Sequence, residues 1–389
     1  MTVPPNGFEG LLGDLMKAMG GTPSSAWFDA AKALALSVVA DEQAGYNPDP
    51  VSRIHLEQIS GVVALHVSEV TGAPVDAAVV PATRASWAIA ALESWRPRLE
   101  PLVAAAAAPP PTTPEPADPE DTTAAMLARF ASSMGPMFVG LQVGSTAGHL
   151  AERALGSSAF PLPWPAAQQP LLVVRNLDRF AEDWSLDPDH VAAFTIAREL
   201  AAHAVYLRPA TAARVESLLA EATATQMAAQ RTLLQRLTDA DDPEDLSRLL
   251  GDPERLLEGL SGMDGGPSPA NDALNAAITA LGAYFDEIAR VVAGRVVGDA
   301  GQLAEAWHRH RTGDSKGDEA AAGLFGVDLS KERVELGVAF VAGVVEREGI
   351  DALARLTRDA SGLPTPAEIV APGLWLARTS LPELDEPRA

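Results

Sequence analysis

The sequence contains no cysteine. Disulfides, thiolate metal sites and cysteine nucleophiles are therefore excluded. Aromatic residues make up only 5% of the chain, and tyrosine occurs three times. Basic residues are few beside acidic ones: 29 Lys and Arg against 52 Asp and Glu, a formal net charge of −23. That imbalance argues against nucleic acid and anionic membrane surfaces as partners, because both recruit clustered cations. A phosphate-cradling loop is missing as well. Gly294 and Gly298 enclose no lysine, and no strand is expected before them. No serine stands in a nucleophile elbow. The first residues, MTVPPNGFEGLLGDL, show no basic stretch followed by an apolar one, so no signal peptide is expected. Together with the lack of cysteine, this suits a cytoplasmic protein.

Hydrophobic residues form 47% of the 389 residues. Much of that share is alanine and leucine, a composition that favours closely packed helices: alanine is the best helix former and lets helix axes approach. Helical periodicity dominates every long segment. The expected fold class is mainly α, a large helical fold with at most a small β element at Leu171 to Val174. An ordinary loop with an apolar anchor is the preferred reading even there. Were it a strand, it would be a candidate edge for pairing with an extended peptide.

Three regions are expected along the chain. Residues 1–108 form an N-terminal helical region, with helices at Leu11 to Met19, Ala26 to Gln43, Val51 to Thr71, Arg84 to Trp95 and Arg98 to Ala108, the last two broken by Pro97. Residues 109–121, PPPTTPEPADPED, form a proline-rich linker or loop. Residues 122–389 form a helical domain. Its first part carries no charge from Phe130 to Gly148, but Pro136, Gln142, Ser145 and Thr146 dilute the run below membrane hydropathy. A buried helix is expected, not a membrane span. Gly140, Gly144 and Gly148 share one face of it, predicted to meet the helix described next. The acidic stretch 239–266 reads as short capped helices, residues 312–322 as a polar loop, and Trp375 as an anchor for the C-terminal segment. His55 and His66 are assigned ordinary polar roles. His308 and His310 lie in a basic island and point about 200° apart on a helix, which suits a polar surface. Glu216 and Glu221 read as solvated carboxylates.

The chain is organised around HVAAFTIARELAAHAVYL, residues 190–207. Asp187 and Pro188 supply a start signal and Pro209 a stop. Phe194, Ala197, Ala201 and Val205 recur at helical spacing. Glu199 and His203 lie one turn apart on one face, the spacing of the two metal ligands in a His-Glu-x-x-His helix.

With Glu199 to His203 laid on that motif, the segment resembles the signature helix of a bacterial zincin-like family of zinc-dependent metalloproteases and hydrolases. Three further stretches are similar to the same family: MGPMFVGLQVGSTAGHLAERALG at 134–156, ALGAYFDEIARVV at 280–292 and LPTPAEIVAPGLWLAR at 363–378. The likeness covers roughly residues 125 to 380. It implies a zincin-like fold with zinc as its metal, two histidine ligands, a catalytic glutamate and a third ligand on the later helix.

The motif positions are degenerate. Glu199 stands where the resemblance implies the first histidine, and Leu200 where it implies the general base. Only His203 matches. Moving the frame back one residue restores the glutamate but puts ligands on Arg198, which is always protonated, and on Ala202. The implied third ligand falls near Gly282, with Asp286 and Glu287 as the nearest carboxylates. The expectation is a metalloprotease-like protein with impaired or absent catalysis, acting by binding a peptide or protein partner, with zinc held weakly or not at all. The alternative is an active metallohydrolase using Glu199, His203 and a carboxylate such as Glu287 as ligands, since glutamate also ligates zinc.

Overall fold

The computed structural model describes residues 23–40, 48–75, 78–107, 119–165, 168–238, 268–313 and 315–380, the side chains of 23–25, 119–134, 226, 227 and 229–238 excepted. The expected helix at Leu11 to Met19, residues 109–118 of the proline-rich stretch and the acidic section 239–266 lie outside the described residues. In chain order the helices and strands are α1 Pro23–Val38, α2 Pro50–Thr71, β1 Val80–Ala82, α3 Arg84–Ala107, α4 Pro119–Arg153, β2 Leu171–Val173, α5 Val174–Trp184, α6 Pro188–Tyr206, α7 Pro209–Thr238, α8 Pro269–Val297, α9 Gly301–Thr312, α10 Lys316–Phe325, α11 Lys331–Glu348, α12 Pro366–Ile369 and α13 Pro372–Ser380. The fold is mainly α with one two-stranded sheet, as its composition predicts. Among the described residues no helix is long and apolar enough to cross a membrane.

At the centre lies α6, the motif helix. Asp187 caps it by accepting from the Asp189 N–H at 2.8 Å, and Pro188 follows in the first turn. The periodic stripe understates its burial, because almost every residue from Val191 to Tyr206 is buried. It packs against α8, α2 and α5. A helix hydrophobic on all sides needs neighbours on all sides, and small residues such as Ala193, Ala197 and Ala201 let them come close.

The glycine face of α4 is real, but its partner is α1, not α6. A Cβ on Gly140 would overlap the Trp27 carbonyl, one on Gly144 the Ala31 carbonyl, and one on Gly148 the Val38 side chain. The small-residue face alone did not choose between two alanine-bearing neighbours. α3 runs unbroken through Pro97 and Pro101. Burial of Trp87, Leu92, Trp95 and Leu99 on that helix outweighs the roughly 3 kcal/mol that an interior proline costs. Residues 316–322, read as part of a polar loop, are helical and open α10. Ser315 caps α10 by accepting from the Asp318 N–H at 3.2 Å, and Gly326 ends it in the left-handed conformation at φ 67°.

Leu171 to Val173 is a strand, paired in parallel with β1 in the register Val80 to Leu171 and Ala82 to Val173. Its other side is also taken. Val173 N–H donates to the Leu155 carbonyl at 2.9 Å, and Leu171 N–H to Ser157 Oγ at 2.7 Å. Peptide pairing along this strand would have to displace those bonds. Trp375 is fully buried, its Nε1 donating to the Gly362 carbonyl at 2.7 Å, so the C-terminal segment is anchored as expected.

Candidate functional site

Two neighbours on α6, Arg198 and Glu199, are both buried. A buried charge needs a partner and hydrogen bonds, and the turn 156–159 supplies them for Glu199. Ser158 donates its N–H to Glu199 Oε2 at 2.9 Å and its hydroxyl to Oε1 at 2.5 Å. Gly156 is required for this approach: a Cβ there would stand 2.5 Å from Glu199 Cδ. Trp87 fixes the turn from behind, its Nε1 donating to the Gly156 carbonyl at 2.9 Å.

Arg198 ties the same turn to α8. Its Nη1 donates to the Ser158 carbonyl at 2.8 Å and to Ser158 Oγ. Its Nε donates to Asp286 Oδ1 at 2.8 Å. Asp286 also accepts from Trp307 Nε1 at 2.8 Å and pairs with Arg311, both on α9. The Arg198 guanidinium lies 4.9 Å from the centre of the Trp307 ring, within cation–π range. Four separate segments are thus joined through one carboxylate and one serine.

The electrostatics follow from burial and charge. Burial pushes the Glu199 carboxyl up to about 7, against the opposing pull of Arg198 and of the hydrogen bonds from Ser158 and Ser157. Burial would raise Asp286 too, but the Arg311 and Arg198 guanidiniums overcome it and hold that carboxyl below its ordinary value. Burial lowers His203 and raises Tyr206, whose hydroxyl donates to the Pro161 carbonyl at 2.7 Å.

Glu199 and His203 line one cavity of about 20 Å³ with Ser158, Trp164, Tyr206 and Leu207. That is room for about one water. Among the described residues Trp164 Nε1, a buried donor, has no protein acceptor. Leu200 is fully buried in the core. Glu287 pairs with Arg290 on its own helix, at 2.6 and 2.8 Å. Among the described residues no three His, Asp or Glu side chains group closely enough to hold a metal ion.

The remaining candidates have local partners. His55 bonds Asp189 at 2.7 Å, His66 lies 3.4 Å from Glu69, and Glu216 pairs with Arg98. Glu221 accepts from Ser217 at 2.8 Å. The basic island is only partly surface. Trp307 and Arg311 turn inward to Asp286, and the His310 ring stacks on Trp307 at 5.6 Å. Sequence reasoning missed Ser158, Trp307 and Arg311. One signal was present: an arginine among the apolar residues of a buried helix demands an acidic partner, and Asp286 sits in the middle of the next core helix.

The chain belongs to the zincin-like metallopeptidase family, whose model matches residues 27–376. A solved structure described as a "putative hydrolase with a novel fold", from Chloroflexus aurantiacus, is similar in fold. The TM-score is 0.58 at 18% identity, with 90% of this chain and 97% of that one covered. Comparison with curated proteins finds no match.

Proposed function

We propose that this chain is a family member in which a neutralised arginine–carboxylate network stands in place of a working metal centre, and that it acts by binding a peptide or protein partner in the cytoplasm. The observation that carries this reading is the state of Glu199. At the position matching the first histidine ligand, its carboxylate is already bound by the Ser158 N–H and hydroxyl.

The other donors do not fit zinc either. Leu200 offers no base. At Gly282, the position matching the third ligand, the nearest group is the Arg311 guanidinium. Arg198 and Arg311 bring two positive charges and Asp286 one negative, so ionised Glu199 makes the cluster neutral. A divalent cation added there would meet two guanidiniums in a poorly screened interior, an unfavourable placement. Loss of a positioned general base typically costs 10²–10⁴-fold in rate. A protein or peptide is the favoured partner because a net charge of −23 disfavours polyanions.

One observation favours the alternative, a metallohydrolase with altered ligands Glu199, His203 and Glu287: Glu199 and His203 do face a common cavity. Elemental analysis after exhaustive dialysis separates the two. The expected result is zinc far below one equivalent and no peptidase activity on unstructured protein. One zinc per chain, lost in His203→Ala, would overturn the proposal.

A further inference from the structure

Helix α2 carries two apolar faces. The inner one, Leu56, Val63 and Val67, is buried in the core. On the outer one, Val51, Ile54, Val62 and Leu65 remain 71, 56, 49 and 68% exposed. At 100° per residue these four fall within an arc of about 80°, opposite the core face. Single exposed hydrophobes need no explanation, but a contiguous stripe marks a contact surface.

The order of the stripe points to its occupant. Val51 and Leu65 lie equally far from Gln58 in sequence, and so do Ile54 and Val62. A two-fold axis through Gln58 would lay Val51 on Leu65 of a second copy and Ile54 on its Val62, with the two helices antiparallel. Self-complementarity of this kind is what an isologous interface requires. Charge agrees. Acidic residues outnumber basic ones 52 to 29 in this chain, yet between Val51 and Leu65 the arc holds Val51, Ile54, Gln58, Val62 and Leu65 and no carboxylate, Glu69 falling on it one turn beyond. Two copies can therefore meet along this stretch with no α2 carboxylate between them, and the Asp189 carboxylate beside it is held by His55 at 2.7 Å. Gly61, at the edge of the stripe, has open space where a Cβ would be, which permits close approach of a second backbone. From Val51 to Leu65 the stripe runs about 21 Å at 1.5 Å per residue. A helix pair of that length buries on the order of 1,000 Å² over both copies, at the low end of specific interfaces.

We propose that the outer face of α2 is a homodimer interface, packed antiparallel about Gln58 and reversible at micromolar concentrations. The absence of cysteine makes the test clean. Sedimentation equilibrium of the full chain should show a monomer–dimer equilibrium, and Val62→Glu should shift it to monomer with the thermal midpoint unchanged. Under mild oxidation Gln58→Cys should form a disulfide-linked dimer, whereas Glu332→Cys, at an exposed position of α11, should not. A wild-type chain that stays monomeric through high micromolar concentration overturns the proposal. So does a dimer that Val62→Glu leaves intact, or one in which Gln58→Cys links no faster than Glu332→Cys; either would place a different partner, or another part of this chain, on the stripe.

Discussion

Arg311 Nη2 lies 3.2 Å from the point where a Cβ on Gly282 would stand. The helix α8 is open at Gly282 and the guanidinium enters there, reaching Asp286 one turn further on. Asp286 is the shared partner of Arg198 and Arg311, so its loss strands two cations. Asp286→Ala should cost about 3–5 kcal/mol, the usual penalty for an uncompensated buried charge. Arg311→Ala should cost less, about 1–3 kcal/mol, because Asp286 keeps Arg198 and Trp307. Urea unfolding at neutral pH measures both. Equal losses would mean that Arg198 does not sustain Asp286 alone.

Gly156→Ala places a methyl against the Glu199 carboxylate. The turn or the carboxylate must then move, and overpacking of this kind typically costs 1–3 kcal/mol. Thermal unfolding should show a lower midpoint. An unchanged midpoint would contradict the close seating of the 156–159 turn on α6.

Gly144→Leu would drive a side chain into the Ala31 carbonyl of α1. Backbone yields less readily than the end of a flexible side chain, so the loss should reach at least the upper part of the 1–3 kcal/mol overpacking range. Gly294→Ala is the contrasting case. That glycine is exposed on α8 with nothing near its Cβ position, and replacing a mid-helix glycine with alanine gains up to about 1 kcal/mol. Chemical denaturation of the pair should move in opposite directions.

His310 sits beside Trp307, where burial, and then the Arg153 guanidinium, hold it down to about 4 from 6.5.

 The ring geometry of His310 is an edge-on contact with Phe180 at 84° and a stack on Trp307 at 27°. The other charges facing it are Arg198 and Arg311. Because the folded-state value is depressed, the folded chain binds fewer protons than the unfolded one between about pH 6.5 and 4. Stability from this group is therefore complete above pH 6.5 and is lost as pH falls through about 4, by up to roughly 3 kcal/mol. His310→Phe keeps a ring against Trp307 and removes the titration. The thermal midpoint of this variant should fall less between pH 6.5 and 4.5 than that of the wild type. The same slope in both would show that His310 is not a source of the acid sensitivity.

What the sequence determined by itself is local. Asp187, Pro188 and Pro209 bound the motif helix, because capping and proline geometry act within a turn or two. Leu274, Ile278, Leu281, Phe285, Ile288 and Val292 recur at helical spacing and set the second core helix, and the uncharged run around Gly144 announced burial. The departures at Glu199, Leu200 and Gly282 were visible before any fold was known. Tertiary structure decided which distant groups meet. Arg198 and Asp286 are 88 positions apart, and no periodicity encodes that pairing. Arg311 read as one more charge in a basic island until α9 turned it toward Asp286. Pro97 read as a break until the burial of Trp95 and Leu99 carried the helix through it. The glycine face of α4 fixed that a backbone would come close, but α1 and α6 both present small residues, and only the packing of the whole core selected α1.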